Sequence, residues 1–492
     1  MQFMMPWAGR ADGREYMSQP AGAVLQFPPL SVPASAGADT HTNTKQEVLM
    51  TTHLPQKGYS PGTNDDSRRL SRGDARTLSL SALGGALEFY DFVIFVFFST
   101  VVGTLFFPSE MPEWLRQVQT FGIFAAGYLA RPLGGVIMAH FGDLLGRKKM
   151  FMFSICLMAV PTLIMGLLPT YDTIGIAAPL LLLLMRVLQG AAIGGEAPGA
   201  WVFVTEHVPS RHTHFACGTL SAGLVGGILL GSIVATVINA AFSQAQISEF
   251  AWRFPFILGG VLGFVTMYLR RWLHETPVFA EMQARKTLAQ ELPVKTILTR
   301  HGRSVILSMG VTWILTAAVV VTVLMAPPLL KSVTGIDPQT MQLANSVSIL
   351  AVLVGCVFAG WLADRLGPGP VLAFFSLGLA LCFGLFYSTM LTSTEHVFSL
   401  YALSGFFVGL VGVIPGIAVN SFPAAVRFTG LSFSYNVAYA IFGGLTPMGV
   451  SFFMALDPMA PVYYIAFIGA LGMMIGALVM RQTRRVATTA TV

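Results

Sequence analysis

The sequence predicts an all-α integral membrane protein of about twelve transmembrane helices in two six-helix halves, and three observations carry that expectation. The 492 residues are 54% hydrophobic and only 11% charged, with a mean hydropathy of +0.68, whereas soluble chains carry about 25% charged residues. Apolar runs long enough to cross about 30 Å of hydrocarbon as helix recur from residue 79 almost to the end. They are continuously apolar rather than alternating, which excludes barrel strands. The third observation is a turn motif that occurs once in each half, at the same point.

In chain order the predicted spans are 79–106, 119–141, 149–168, 177–204, 215–241, 253–272, 303–330, 341–363, 370–391, 397–419, 428–455 and 461–480. Residues 1–76 precede them as a polar, Pro/Gly/Ser-containing stretch with no run suited to a span or signal peptide, and a disordered cytoplasmic tail is expected there. The first half occupies 77–272. A hydrophilic linker, 273–302, follows; its Glu, Lys, Arg and Gln content suits a short interfacial helix stopped by Pro277 and Pro293. The second half occupies 303–480, and 481–492 forms a cytoplasmic tail.

Sidedness follows from the basic residues, which concentrate in short cytoplasmic loops. Arg68, Arg69, Arg72, Arg76, Arg147, Lys148, Lys149, Arg211, Arg270, Arg271, Arg303, Arg365, Arg427 and Arg481 fall on one side. The other offers Arg116, Arg253 and Lys331. Both termini are therefore expected in the cytoplasm, and the net charge of +6 reflects membrane sidedness rather than nucleic-acid binding. Cys156, Cys217, Cys356 and Cys382 stand singly within spans, so packing accounts for them better than metal or disulfide chemistry.

The turn after the second span reads GDLLGRKK (142–149), and the turn after the eighth reads GWLADRLGPG (360–369). Each sets an Asp and an Arg around a glycine turn, Asp143 with Arg147 and Asp364 with Arg365. An Asp at a helix end caps backbone N–H groups or pairs with Arg, so these four are candidate gating residues.

Several ionisable and polar residues lie inside spans, where a lone charge costs about 2.5–3.5 kcal/mol or more and so demands a reason. Glu88 and Asp91 stand three apart on the first span and share a helix face. Low dielectric and mutual repulsion favour at least one of them holding a proton near neutral pH; the alternative is that they pair with an Arg and tie helices together. Arg131 and Arg186 are the available counter-charges, and each can grip a carboxylate through two parallel hydrogen bonds. Arg131 either binds an anionic substrate, pairs with Glu88 or Asp91, or snorkels to the interface. Glu196, between Gly194–Gly195 and Pro198, is a second candidate proton carrier. Tyr90, Tyr435, Asn436 and Tyr439 offer hydroxyls and an amide that could orient a polar solute or bond between helices.

These motifs resemble a known family. GDLLGRKK and RVLQGAAIGGE (186–196) are similar to the loop and fourth-helix motifs of the major facilitator superfamily. ALEFYDF (86–92), ARPLGG (130–135), GGEAPGA (194–200), ETPVF (275–279) and FPAAVRFTGLSFSYNVAYAIFGG (422–444) resemble its metabolite:proton symporters. The resemblance implies the major facilitator fold, a multi-pass protein of the bacterial inner membrane, and alternating access between two halves. It implies import of a small organic solute with a proton, no cofactor beyond that coupling ion, and a link between Arg186 and proton transfer. The fifth span lacks the Gly-Pro pattern common in superfamily antiporters, which favours symport. An organic acid is the expected solute, given two membrane arginines, with a zwitterion such as betaine or proline as the alternative. A monomer in the lipid bilayer is expected to suffice. No catalytic or metal-binding constellation is present in the sequence: HTH at 212–214 lacks further ligands, and no H-E-x-x-H or nucleophile elbow occurs.

Overall fold

A computed structural model describes residues 69–270, 281, 293–454 and 456–490. The predicted N-terminal tail lies almost wholly outside the described residues, as does most of the linker. The spanning helices are α1 (Arg72–Phe97, continued by Ser99–Phe106), α2 (Glu113–Leu145), α3 (Arg147–Leu167), α4 (Ala177–His207), α5 (Thr213–Ala241) and α6 (Arg253–Arg270) in the first half. The second half comprises α7 (Gly302–Val319, running on through Val320–Met325 to Ala326–Thr334), α8 (Pro338–Leu366), α9 (Pro368–Met390), α10 (Val397–Val408, extended by Gly409–Gly412 and Ile414–Asn420), α11 (Arg427–Met454) and α12 (Ala460–Ala490). Among the described residues eleven helices are long and apolar enough to span, and the helix pair Gln244–Ala251 and Arg253–Tyr268, bent by 45°, completes a twelfth.

Three boundaries depart from the sequence expectation for identifiable reasons. α1 begins seven residues early because Ser71 and Asp74 form a capping box, Ser71 Oγ accepting from the Asp74 N–H and Asp74 from the Ser71 N–H at 2.8 Å. Pro293 opens the linker helix Pro293–Arg300 instead of stopping one, since a first-turn residue needs no N–H for the helix ladder. The expected C-terminal tail is helical through Ala490, continuing α12 past its basic residues.

The two halves repeat one packing scheme. In the first, α1 packs on α5, α2 on α4 and α3 on α6; in the second, α7 packs on α11, α8 on α10 and α9 on α12. Advancing each number by six converts one set into the other. The same operation exchanges the two main contacts between halves, α5 with α8 and α11 with α2. The turns after α2 and α8 also match: each pivots on a glycine with positive φ, Gly146 at 116° and Gly367 at 89°, a region that penalises any Cβ. Large side chains such as Leu129, Leu133, Ile306 and Phe452 stay largely exposed on the outward faces, as lipid contact requires.

Candidate functional site

Three groups of polar side chains sit inside this apolar bundle, at different depths and with different partners. The outermost lies within the first half. Asp91 of α1 is fully buried, and neither carboxyl oxygen has a hydrogen-bond partner among the described residues. Its Oδ1 lies against Gly259 of α6, beside the Thr162 side chain of α3, so closely that a Cβ at position 259 would collide with it. Thr162 begins a chain of hydrogen bonds: it accepts from Gln189 Nε2 at 2.6 Å, and Gln189 Oε1 accepts from Arg186 Nη1 at 2.7 Å. The Arg186 guanidinium rests over the rings of Phe92, Phe95 and Phe124, with its Cζ 4.4–5.1 Å from their centroids. Cation–π attraction in a desolvated site contributes about 2 kcal/mol or more. Arg186 is thus held by aromatic faces and an amide, and forms no ion pair with Asp91 among the described residues.

The second group lies between the halves. Arg131 of α2 is 1% exposed and presents its guanidinium to Tyr128 of its own helix and to Tyr435 and Tyr439 of α11, with Cζ 4.5 Å from the Tyr439 centroid. Its Nε and Nη2 have no hydrogen-bond partner among the described residues, and it pairs with neither Glu88 nor Asp91 there. Snorkelling is excluded by its burial. Tyr128 stacks on Tyr439 across the interface at 6.0 Å, and Trp201 of α4 meets Tyr435 edge-on at 5.1 Å. Asn436 donates to Gly194 O of α4 at 2.6 Å, tying α11 to the opposite half.

The third group closes the end of the bundle that carries the basic loops. Asp143, at the end of α2, accepts the Thr429 N–H at 2.9 Å and its hydroxyl at 2.7 Å, capping the start of α11. Asp364, at the end of α8, accepts the His214 and Phe215 N–H groups at 2.9 Å each and lies 3.1 Å from His214 Nδ1, capping the start of α5. Each aspartate therefore caps a helix N-terminus of the other half, where a carboxylate also meets the positive end of the helix dipole. Arg427 adds an ion pair to Glu206 of α4 at 3.1 Å. With these contacts made, the bundle is shut at its basic end.

The remaining sequence candidates fall elsewhere. Glu88 is buried on α1, and Glu196 on α4 accepts a short hydrogen bond from Ser154 of α3. Tyr90 donates to Pro255 O at 2.9 Å within the first-half core, away from the interface between halves. Arg365 is exposed and stacks on Trp361 of its own helix, leaving the bridging to Asp364. The Arg147 side chain lies outside the described residues. Sequence reasoning passed over Thr162, Gln189, Thr429 and His214. Gln189 stands in the quoted RVLQG, and His214 in the HTH set aside as a poor metal site; partners on distant helices give each its role.

The model described as Major Facilitator Superfamily matches residues 81–447. The chain belongs to that family. It is therefore a multi-pass membrane transporter and not an enzyme. Among curated relatives, the putative proline/betaine transporter of Staphylococcus aureus (strain COL) is 31% identical over 405 residues, covering 81% of this chain and 87% of that one. The proline/betaine transporter of Escherichia coli (strain K12) is 30% identical over 450 residues, covering 87% and 88%. Solved structures share the fold at lower identity. The proton:xylose symporter XylE matches with a TM-score of 0.68 at 16% identity over 83% of this chain and 95% of that one, and the E. coli fucose:proton symporter FucP with 0.62 at 16% over 83% and 98%.

Proposed function

We propose that this transporter imports a small zwitterionic solute, of the betaine or proline class, together with a proton across a bacterial cytoplasmic membrane, acting as a monomer with both termini inside. The observation that carries the reading is Arg131: a guanidinium buried between the halves, held on aromatic faces and lacking a carboxylate partner among the described residues. Such a group receives the carboxylate of a solute, and the tyrosine faces around it suit the solute's cationic end. The names of the relatives favour this zwitterion over the organic acid that two membrane arginines alone would suggest. Asp91 is the proposed proton carrier. It is a buried carboxyl whose oxygens have no hydrogen-bond partner among the described residues, and its charge state responds strongly to whether water reaches it. Arg186, Gln189 and Thr162 set its surroundings. In reconstituted vesicles an imposed inward proton gradient should drive accumulation of labelled betaine or proline; accumulation of a dicarboxylate, with neither zwitterion taken up, would defeat the proposal.

Topology gives a separate check. In a background lacking Cys156 and Cys382, an impermeant thiol reagent applied to intact cells should label Ala245→Cys but neither Ser60→Cys nor Gln290→Cys. Labelling at 290 and not at 245 would invert the orientation.

Gly259 tests the acid through its neighbour. Gly259→Ala should push the Asp91 carboxyl aside and lower proton-driven accumulation at least about ten-fold, with counterflow changed far less. Gly263→Ala is the packing control, because a Cβ there meets Ala159 at 2.5 Å but stands 3.6 Å from Asp91 Oδ2. Equal losses in both variants would reduce Gly259 to a packing role.

A further inference from the structure

The outward face of α2 carries a large apolar side chain at every fourth position, Leu129, Leu133, Ile137, Phe141 and Leu145, and all five are exposed, as lipid contact requires. At its basic end this stripe runs into a groove of about 540 Å³ between α2 and the linker helix Pro293–Arg300. Ile137, Phe141 and Leu298 give the groove apolar walls, and His140 and Lys295 give it basic ones. The linker helix is seated by Ile297, which is wholly buried in a cluster with Val305 of α7 and Phe422. Lys295, Leu298 and Thr299 share another face, three and four residues apart, and line the groove together. The helix thus touches α7 and α11 of the second half and α2 of the first.

The basic groups of this groove are unmatched. No Asp or Glu lines it. Lys295 is exposed and makes no ion pair with a described residue, and His140 Nδ1 is buried with no hydrogen-bond partner among the described residues. Asp143, a turn further along α2, is committed to Thr429 across the halves. A lysine ammonium and an imidazole, which presents an N–H in either charge state, together complement a phosphate. The apolar stripe answers to a different part of the same molecule. From Leu129 to Phe141 it rises about 18 Å as helix, comparable with the roughly 15 Å depth of one leaflet's hydrocarbon. A free phosphate would leave that track unused, whereas a phospholipid fills both: its headgroup lies level with the basic turn and its chain runs along α2.

We propose that this groove binds an anionic phospholipid of the leaflet at the basic end, with its phosphate on Lys295 and His140 and an acyl chain along Ile137 and Phe141, and that the bound lipid braces the gate in its shut state. The brace follows from what the groove joins. α2 belongs to the first half and carries Asp143, while the linker helix is fixed to the second half through Ile297. A lipid that touches both walls loses one of them when the halves part at this end, so it binds the shut state more tightly and shifts the population toward it. The inference concerns the gate and no solute enters its test, so it stands or falls separately from the zwitterion reading.

The test places the full chain, lacking Cys156 and Cys382 and carrying Ser432→Cys, in phosphatidylcholine nanodiscs in which phosphatidylglycerol replaces a rising share of the lipid. Ser432 is wholly buried, a turn beyond Thr429, and donates to Gly194 O of the opposite half, so its labelling by a soluble thiol reagent reports opening at the basic end. Phosphatidylglycerol should slow that labelling at least about five-fold. Lys295→Gln should remove most of the protection and, in native mass spectra, weaken retention of phosphatidylglycerol about five-fold, the effect of losing one basic contact to an anionic headgroup. His140→Phe keeps a ring without the N–H and should act in the same direction. Arg481→Gln makes the same charge change on an exposed residue outside the groove and should leave both readouts near the parent. If His140→Phe fails to give monodisperse protein, the exposed Lys295 decides alone. Labelling indifferent to phosphatidylglycerol, equal losses in Arg481→Gln and Lys295→Gln, or unchanged retention in Lys295→Gln overturns the site. Full protection by inorganic phosphate in pure phosphatidylcholine overturns it too, leaving an anion site with no lipid.

Discussion

Asp91→Asn should abolish proton-driven accumulation, bringing the internal solute concentration to that outside, while counterflow of labelled for unlabelled solute stays within a few-fold of the parent. The amide copies the shape of a protonated carboxyl and cannot release its proton. Exchange needs no net proton release, so it survives; uphill transport needs a release in every cycle, so it stops. The geometry makes the substitution mild for folding. Among the described residues neither Asp91 oxygen carries a hydrogen bond or ion pair whose loss would strand a partner in low dielectric, and the nearby Arg186 charge is already held by Gln189 and three phenyl rings. Glu196→Gln makes the natural comparison. Glu196 accepts from Ser154, and an amide can keep that bond through its oxygen, so accumulation should fall only modestly. If Asp91→Asn accumulates solute normally and Glu88→Gln or Glu196→Gln does not, the coupling role moves to that residue. A combined loss of folding, binding and exchange in Asp91→Asn would make the acid structural.

The spans and their division into halves are legible in the sequence because a membrane helix must be apolar along most of its length, whatever it packs against. The paired aspartates at 143 and 364 are legible for a different reason. They recur at one point of a repeat, and each precedes a glycine turn that the structure shows with positive φ. What each aspartate caps is not legible, since Thr429 and His214 lie on helices of the opposite half and no local spacing connects them. The same limit separates Asp91 from its environment: Thr162, Gln189 and Gly259 come from three other helices. Arg131 shows the reverse case. Its position in ARPLGG permits an ion pair, an anion site or snorkelling, and only the burial of its guanidinium among tyrosines of two halves separates these.

The carboxylate caps at the basic end lead to the second large effect. Asp143→Asn should leave equilibrium solute binding within a few-fold and slow transport at least about ten-fold, because Asp143 caps the start of α11 through Thr429 at the basic end of the bundle. A hydrogen bond to a charged group contributes about 1.5–3 kcal/mol, so removing the charge shifts the equilibrium away from the state shut at this end by about ten- to a hundred-fold. Asp364→Asn should do the same through the N-terminus of α5, where it accepts two backbone N–H groups and faces His214. The two caps serve separate helix pairs, α2 with α11 and α8 with α5, so the double variant should approach the sum of the two free-energy shifts. A transporter that rests open on one side returns slowly to the other, and turnover suffers although the solute site is intact. Thiol labelling of a cysteine introduced at the basic end measures the shift directly: the rate should rise in each single variant and further in the double. Normal turnover combined with a large loss of binding in Asp143→Asn would place that carboxylate in the solute site, and unchanged labelling in all three variants would remove both aspartates from the gate.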